Sequence, residues 1–291
     1  MNYKLLDGKA TSLCVQEEIA SEVKDRVNAG KKRPHLAAVL IGDDAASKAY
    51  VGHKVKACKA VGFESTIVER GVDISEDDVL EIVEELNNNE DIDGFIVQLP
   101  LPSHINSQKV IETVSPQKDV DGFHPENVGR MSLGLDTFLP ATPAGIMTLI
   151  KHHGIETSGM HAVVIGRSDI VGNPMVSLLR SNTTPGNCTV TQCHSRTVDL
   201  KSYTLQADII IAAVGKPHFI TEDMVKEGAI VIDVGINRIA DSSRKSGRRL
   251  TGDVDFENVA PKCSWITPVP GGVGPMTIAA LLQNTLKASD G

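Results

Sequence analysis

Five short apolar runs, each closing on glycine or just before proline, constrain this chain most. They are HLAAVLIG (35–42), DGFIVQL (93–99), HAVVIG (161–166), ADIIIAAVG (207–215) and GAIVIDVG (228–235). None alternates apolar with polar residues, so each reads as a strand buried on both faces. Amphipathic stretches lie between them. Ile19, Val23 and Val27 mark a helix over 11–28, and Ala45–Val61 reads as another, closed by Gly62. Ser75 with Asp78 opens a helix through Leu86. FESTIVE (63–69) reads as a further strand and NCTVTQC (187–193) as a further buried one. Thr142 and Pro143 read as the cap and first turn of a helix to about His153, and a last helix runs from Pro275 through Leu286. Strands alternating with helices make βαβ units, whose parallel sheets are covered on both faces.

At 291 residues the chain exceeds one usual domain. The stretch 114–145 is rich in Pro, Gly and Asp and reads as a loop, which places a boundary near 140. The expected fold is therefore α/β in two domains. Residues 1–139 form an N-terminal α/β domain, and 140–275 form a Rossmann-like domain on a parallel sheet. The closing helix, 276–291, is expected to pack back on the first.

Composition narrows the function. A net charge of −8 and 3% aromatic residues leave no basic stripe or stacking platform for nucleic acid. No apolar run approaches the ~20 residues of a membrane span. MNYKLLDGKA lacks the apolar core of a secretory signal. The five cysteines fall at no zinc spacing and read as reduced thiols. A cytoplasmic location is expected, with no metal and no nucleic-acid or membrane partner.

The segment VVIGRSDIVGNP (163–174) runs from a strand through Gly166 and Gly172 into a helix start. It departs from the Gly-x-Gly-x-x-Gly fingerprint, yet a helix N-terminus there still offers amides to a pyrophosphate. The following strand ends in His194-Ser195-Arg196, without the acidic residue that holds the ribose of NAD. Ser195 and Arg196, with Arg167 and Ser168 on the neighbouring loop, suit a 2′-phosphate and favour NADP. A solvated arginine at a strand end is the plainer alternative. Gly215 and Ile236 follow strand ends, where dinucleotides bind in open α/β sheets.

Tyr50 and Lys54 stand four apart and share one helix face. A lysine beside a phenol in a partly desolvated pocket loses basicity and suits proton transfer. Lys48, Lys56 and Lys59 on the same helix keep open the reading of a solvated surface. Gln98 ends a buried strand and needs hydrogen-bond partners. KDVDGFHP (118–125) holds Asp119 and Asp121, suited either to an aminopyrimidine-like ring or to an Asx turn before Gly122. TPVPGGVGP (267–275) places Pro270, Gly271 and Gly272 where backbone can approach a ligand closely.

These segments occur in one order with PATPAG (140–145), VIDVGIN (231–237) and GDVDF (252–256). From about residue 40 to 286 the chain resembles the bifunctional methylenetetrahydrofolate dehydrogenase/methenyltetrahydrofolate cyclohydrolase family. The resemblance implies two steps in one folate cleft between a catalytic and an NADP-binding domain, in a homodimer without metal. It implies Lys54 as the proton-handling lysine, Gln98 as its helper, Tyr50 as the ring stacked on folate and Asp121 as the pterin carboxylate. Arg167, Ser168 and Ser195 match NADP-phosphate contacts, and Pro270, Gly271 and Gly272 match a folate-covering loop. Two departures stand out: Ala141 where the family often has cysteine, and a longer connection over 180–188, expected to shift the adenine side of the cofactor site. A two-domain NADP dehydrogenase of a small hydroxy acid, a ligand sensor and a monofunctional dehydrogenase remain the alternatives.

Overall fold

The computed structural model describes residues 3–243 and 247–290. In chain order it holds β1 (Lys4–Leu5), α1 (Gly8–Asn28), β2 (His35–Ile41), α2 (Ala45–Val61), β3 (Glu64–Arg70), α3 (Glu76–Asn88), β4 (Gly94–Val97), α4 (Ser107–Thr113), α5 (Pro125–Ser132) and α6 (Ala141–His152). It continues with β5 (His161–Ile165), α7 (Gly172–Arg180), β6 (Thr189–Cys193), α8 (Leu200–Thr204), β7 (Ile209–Ala212), β8 (Ile230–Asp233), β9 (Asn237–Ala240), β10 (Arg248–Thr251), α9 (Phe256–Val259), β11 (Trp265–Ile266) and α10 (Val273–Ala288). Two compact units result. One is Leu13–Ala141 with the chain from Ile278 onward; the other is the N-terminal stretch through Ser12 with Thr142–Thr277.

The unit containing Leu13–Ala141 is built on a parallel sheet in the order β3-β2-β4. β2 is central and buried from Leu36 through Ile41, as its unbroken apolar run requires. The Asp44 carboxylate accepts the Ser47 N–H at the start of α2, and Gly62 closes that helix at φ 83°. These two ends fix which face turns inward: Val51, Lys54, Ala57, Cys58 and Val61. Ser75 caps α3 through the Asp78 N–H. The stretch read as a loop contains a helix, α5, started by Pro125 and capped by the His124 ring, which accepts the Glu126 N–H. Two turns with Asn127 and Met131 inward are too short for a periodic signal.

The other unit carries a six-stranded, all-parallel sheet in the order β1-β11-β8-β7-β5-β6. Ala162, Val164, Ile209, Ile211, Ile230 and Ile232 enter one core with Leu6, Leu149 and Met175. Val163, Ile165, Ile210, Ala212 and Val231 enter the opposite core with Val225 and Ile266. Both faces are thus covered, and this period of two explains the continuous apolar runs.

Three details differ from the sequence reading. β6 is an edge strand, and only its Cys193 is fully buried, because it pairs with β5 alone. α6 starts at Ala141, so Thr142 lies in its first turn and its hydroxyl meets that of Thr277 at 3.0 Å instead of capping the helix. The first residues fall outside the unit that holds the rest of 1–139. Lys4 and Leu5 pair with Trp265 and Ile266, and Leu6 is fully buried beside Ile146 and Ile150. A two-residue strand has no period to read.

Candidate active site

Lys54 is 5% exposed, and no ion pair neutralises it among the described residues. Its Nζ donates to Gln98 Oε1 at 3.3 Å and sits 4.7 Å from the centre of the Tyr50 ring. Burial pushes its pKa below the usual lysine value, against the pull of Asp121 and Cys58. Gln98 is held through its backbone N–H and through both ends of its side-chain amide. Its N–H extends the ladder to the Val39 carbonyl, and its Nε2 donates to Leu99 O at 2.7 Å, which turns Oε1 toward the lysine. Lys48, Lys56 and Lys59 are exposed on the opposite side of α2. The helix therefore has a solvated lysine face and one inward lysine, and the inward one meets Tyr50 and Gln98.

The two aspartates of KDVDG have opposite environments. Asp119 is buried and accepts the Gly122 N–H (3.1 Å), the His124 N–H (2.7 Å) and Asn127 Nδ2 (2.8 Å). It makes the turn that the sequence left open between the two. Gly122 sits at φ 74°, and a Cβ there would lie 2.5 Å from the Leu139 carbonyl carbon. Asn284 of α10 donates to the Val120 and Leu139 carbonyls, both at 2.9 Å. With its neighbours fixed in this way, Asp121 has no hydrogen bond to its carboxylate among the described residues, and burial pushes its pKa up to about 6 against the pull of Lys54. It faces ligand or solvent with its acceptors unused.

In the six-stranded sheet, order reverses at β5: β6 lies on one side and β7 on the other. Ligands of open α/β sheets bind beyond the carboxyl ends at such a switch point. The loops there come close together. A Cβ on Gly166 would stand 2.4 Å from Ala213 O, and one on Gly172 would stand 2.5 Å from Gly166 O. Gln192 Nε2 ties the Gly166 carbonyl to Asn173. Ile165 pairs with Cys193, so Arg167-Ser168 and Ser195-Arg196 emerge side by side from adjacent strands. All four are exposed, and neither guanidinium is bonded among the described residues. Two unspent guanidiniums without an acidic residue in Cys193-His194-Ser195-Arg196 fit a 2′-phosphate.

The 180–188 connection precedes β6, whereas Ser195 and Arg196 follow it. A five-residue strand of about 16 Å separates them. The connection is also tied down, with Gly186 exchanging two 2.8 Å bonds with the Thr157 hydroxyl. The connection thus lies at the opposite end of β6 from Ser195 and Arg196. Pro270 is exposed, whereas the Gly271 carbonyl accepts the Lys9 N–H at 2.9 Å and Gly272 is buried against Gly8.

Sequence reasoning missed Asp233, Asp253, Asn127 and Asn284. All four are buried polar residues that organise loops. Asn284 gave one signal, an amide beside Gln283 in the otherwise apolar run of α10. A cavity of about 850 Å³ opens among Lys32, Lys118, Arg130 and Lys287, but its cations are satisfied. Lys32 pairs with Asp93, Lys287 pairs with Asp136, and Lys118 donates to the Leu86 and Asn89 carbonyls.

Comparison with known proteins fits this geometry. Residues 6–121 match the catalytic domain of tetrahydrofolate dehydrogenase/cyclohydrolase, and residues 140–291 match its NAD(P)-binding domain. The chain belongs to the tetrahydrofolate dehydrogenase/cyclohydrolase family. It is 62% identical to the bifunctional protein FolD of Cytophaga hutchinsonii, over 98% of this chain and 99% of that one. The bifunctional methylenetetrahydrofolate dehydrogenase/cyclohydrolase of Campylobacter jejuni superposes with a TM-score of 0.93 at 47% identity, over 99% of each chain. The Trypanosoma brucei methylenetetrahydrofolate dehydrogenase-cyclohydrolase, solved with NADP cofactor and an inhibitor, gives 0.93 at 36% identity, over 99% and 97%.

Proposed function

We propose that Lys54, Gln98, Tyr50 and Asp121 handle a folate and that Gly166, Arg167, Ser168, Ser195, Arg196, Gly215 and Ile236 hold NADP. The enzyme oxidises 5,10-methylenetetrahydrofolate to the methenyl form with NADP+ and hydrolyses the methenyl form to 10-formyltetrahydrofolate. Lys54 carries this reading, a buried amine whose described partners are a neutral amide and an aromatic face.

Bound NADP+ supplies the hydride acceptor for the first step. That step leaves a resonance-stabilised cation, so it asks the chain for orientation more than for acid–base help. Tyr50 offers a ring face to the pterin, and Asp121 offers two unused acceptor oxygens to its amino and ring N–H groups. The second step adds water at the methenyl carbon and opens the ring, which moves protons. Burial brings Lys54 toward the range in which an amine both takes and gives a proton. Gln98 Oε1 accepts from the Lys54 ammonium and aims its remaining protons. The family resemblance also carries over Pro270, Gly271 and Gly272 as folate contacts, a homodimeric assembly and a cytoplasmic location.

Lys54→Met tests the assignment. Hydrolysis of methenyltetrahydrofolate, followed by loss of its absorbance, is expected to fall by about 10²–10⁴-fold. Circular dichroism and the melting temperature should show an intact fold. Hydrolysis at the wild-type rate would remove Lys54 from the mechanism. NADP reduction with shikimate in place of methylenetetrahydrofolate would overturn the substrate class.

A further inference from the structure

The loops after β7 and β8 are held by one buried anion. Asp253 is 0% exposed. Its Oδ2 accepts the Val214 N–H (2.7 Å) and the Gly215 N–H (2.9 Å), while Oδ1 accepts the Lys216 N–H and Asn237 Nδ2, both at 2.9 Å. Three consecutive backbone amides converge on this carboxylate, the arrangement usually reserved for a bound anion. Asp233, at the end of β8, holds Asp253 in turn. Its Oδ1 accepts the Asp253 and Gly235 N–H groups and its Oδ2 accepts that of Val254, all at 2.9 Å. The packing admits no side chain at the joints. A Cβ on Gly235 would stand 2.3 Å from Asp253 Oδ1, and one on Gly252 would stand 1.8 Å from Asp233 Oδ2.

Resting on the reading of Gly215 and Ile236 as cofactor contacts, we infer that Asp253 is a positioning residue for the nicotinamide dinucleotide. It touches no cofactor itself. It sets the backbone of 214–216 and the side chain of Asn237, and so fixes the two loops at the carboxyl ends of β7 and β8. Gly215 and Ile236 stay exposed at those ends, free to meet a ligand. The cyclohydrolase step draws on Lys54 and Gln98 and does not use these loops.

Asp253→Asn tests this by splitting the two activities. An amide keeps one acceptor oxygen but turns an NH₂ toward two donors. KM for NADP is expected to rise about tenfold, the loss that a weakened charge-assisted hydrogen bond gives. Methenyl hydrolysis should stay within about twofold of wild type, since general acid–base work at Lys54 is untouched. The double variant Asp253→Asn with Asn237→Asp lets the new carboxylate accept from the new amide, and part of the NADP affinity should return. Unchanged KM for NADP overturns the inference. So does an equal fall in both activities, which marks a purely structural role, or a double variant no better than the single. If Asp253→Asn is insoluble, Asn237→Ala replaces it, with the same split expected and the same outcomes decisive. A wild-type protein that reduces neither NADP nor NAD with methylenetetrahydrofolate instead overturns the functional reading, and this inference with it.

Discussion

The tripeptide Asp-Val-Asp occurs once in each unit, at 119–121 and at 253–255, and the two copies use their carboxylates differently. In both, the first aspartate is buried and saturated. Asp119 takes three donors and Asp253 takes four. The second aspartates diverge. Asp255 begins α9 and accepts Asn258 Nδ2, an ordinary surface role. Asp121 has no donor among the described residues and lies beside a buried lysine. A saturated carboxylate builds the loop, and an unsaturated one in the same loop is available to a substrate. Identical side chains thus acquire opposite roles from the donors that the fold brings to them.

Breaking the saturated carboxylates should cost stability, and breaking the unsaturated one should not. The largest loss is expected for Gly252→Ala, whose Cβ would collide with Asp233. Chemical denaturation should show a loss of about 3 kcal/mol, as overpacking of a rigid site does. Asp119→Ala leaves the His124 N–H unpaired and takes one of two acceptors from the Gly122 N–H and from Asn127 Nδ2, and about 2 kcal/mol should be lost. A midpoint equal to wild type would end the distinction between Asp119 and Asp121.

Asp121→Asn should raise KM for the folate about tenfold, which an amide in place of a paired acceptor warrants, with no loss of stability. Its pH dependence is the sharpest test. Asp121 binds its proton up to about 6 in the folded chain, against 3.8 for a free carboxylate. The folded state holds the extra proton between those values, so this group's contribution is fully present below about pH 4 and lost as pH rises to about 6. The variant lacks that slope. Its stability relative to wild type should climb across this window and level off above it, as denaturation at pH 4, 5, 6 and 7 would show. Asp233 is pushed up to about 6 by burial and slopes the same way in both proteins, so it cancels in the difference.

Much of the fold was readable because buried parallel strands write themselves as unbroken apolar runs. The meeting of Lys54 and Tyr50 was readable from helical spacing, and the acid-free end of β6 from the residues around Arg196. The saturated aspartates were not readable. The donors of Asp253 lie 16 to 39 positions away, and Asn284 bonds a carbonyl 164 positions away. Local sequence carries no trace of such partners. Strand order was equally hidden, so the switch point beside Gly166 emerged only from β6 and β7 lying on opposite sides of β5.

The pairing of Leu5 with Ile266 also bears on how the protein is made. β1 must wait for β11, the last of the described strands, to be made. At about 5–20 residues per second that delay is on the order of ten seconds or more, with Leu6 still lacking its final neighbours. The other unit waits as well, since Asn284 locks its aspartate loop from α10. Neither half is complete until α10 has been made, and a nascent chain stalled before that helix carries two unfinished cores.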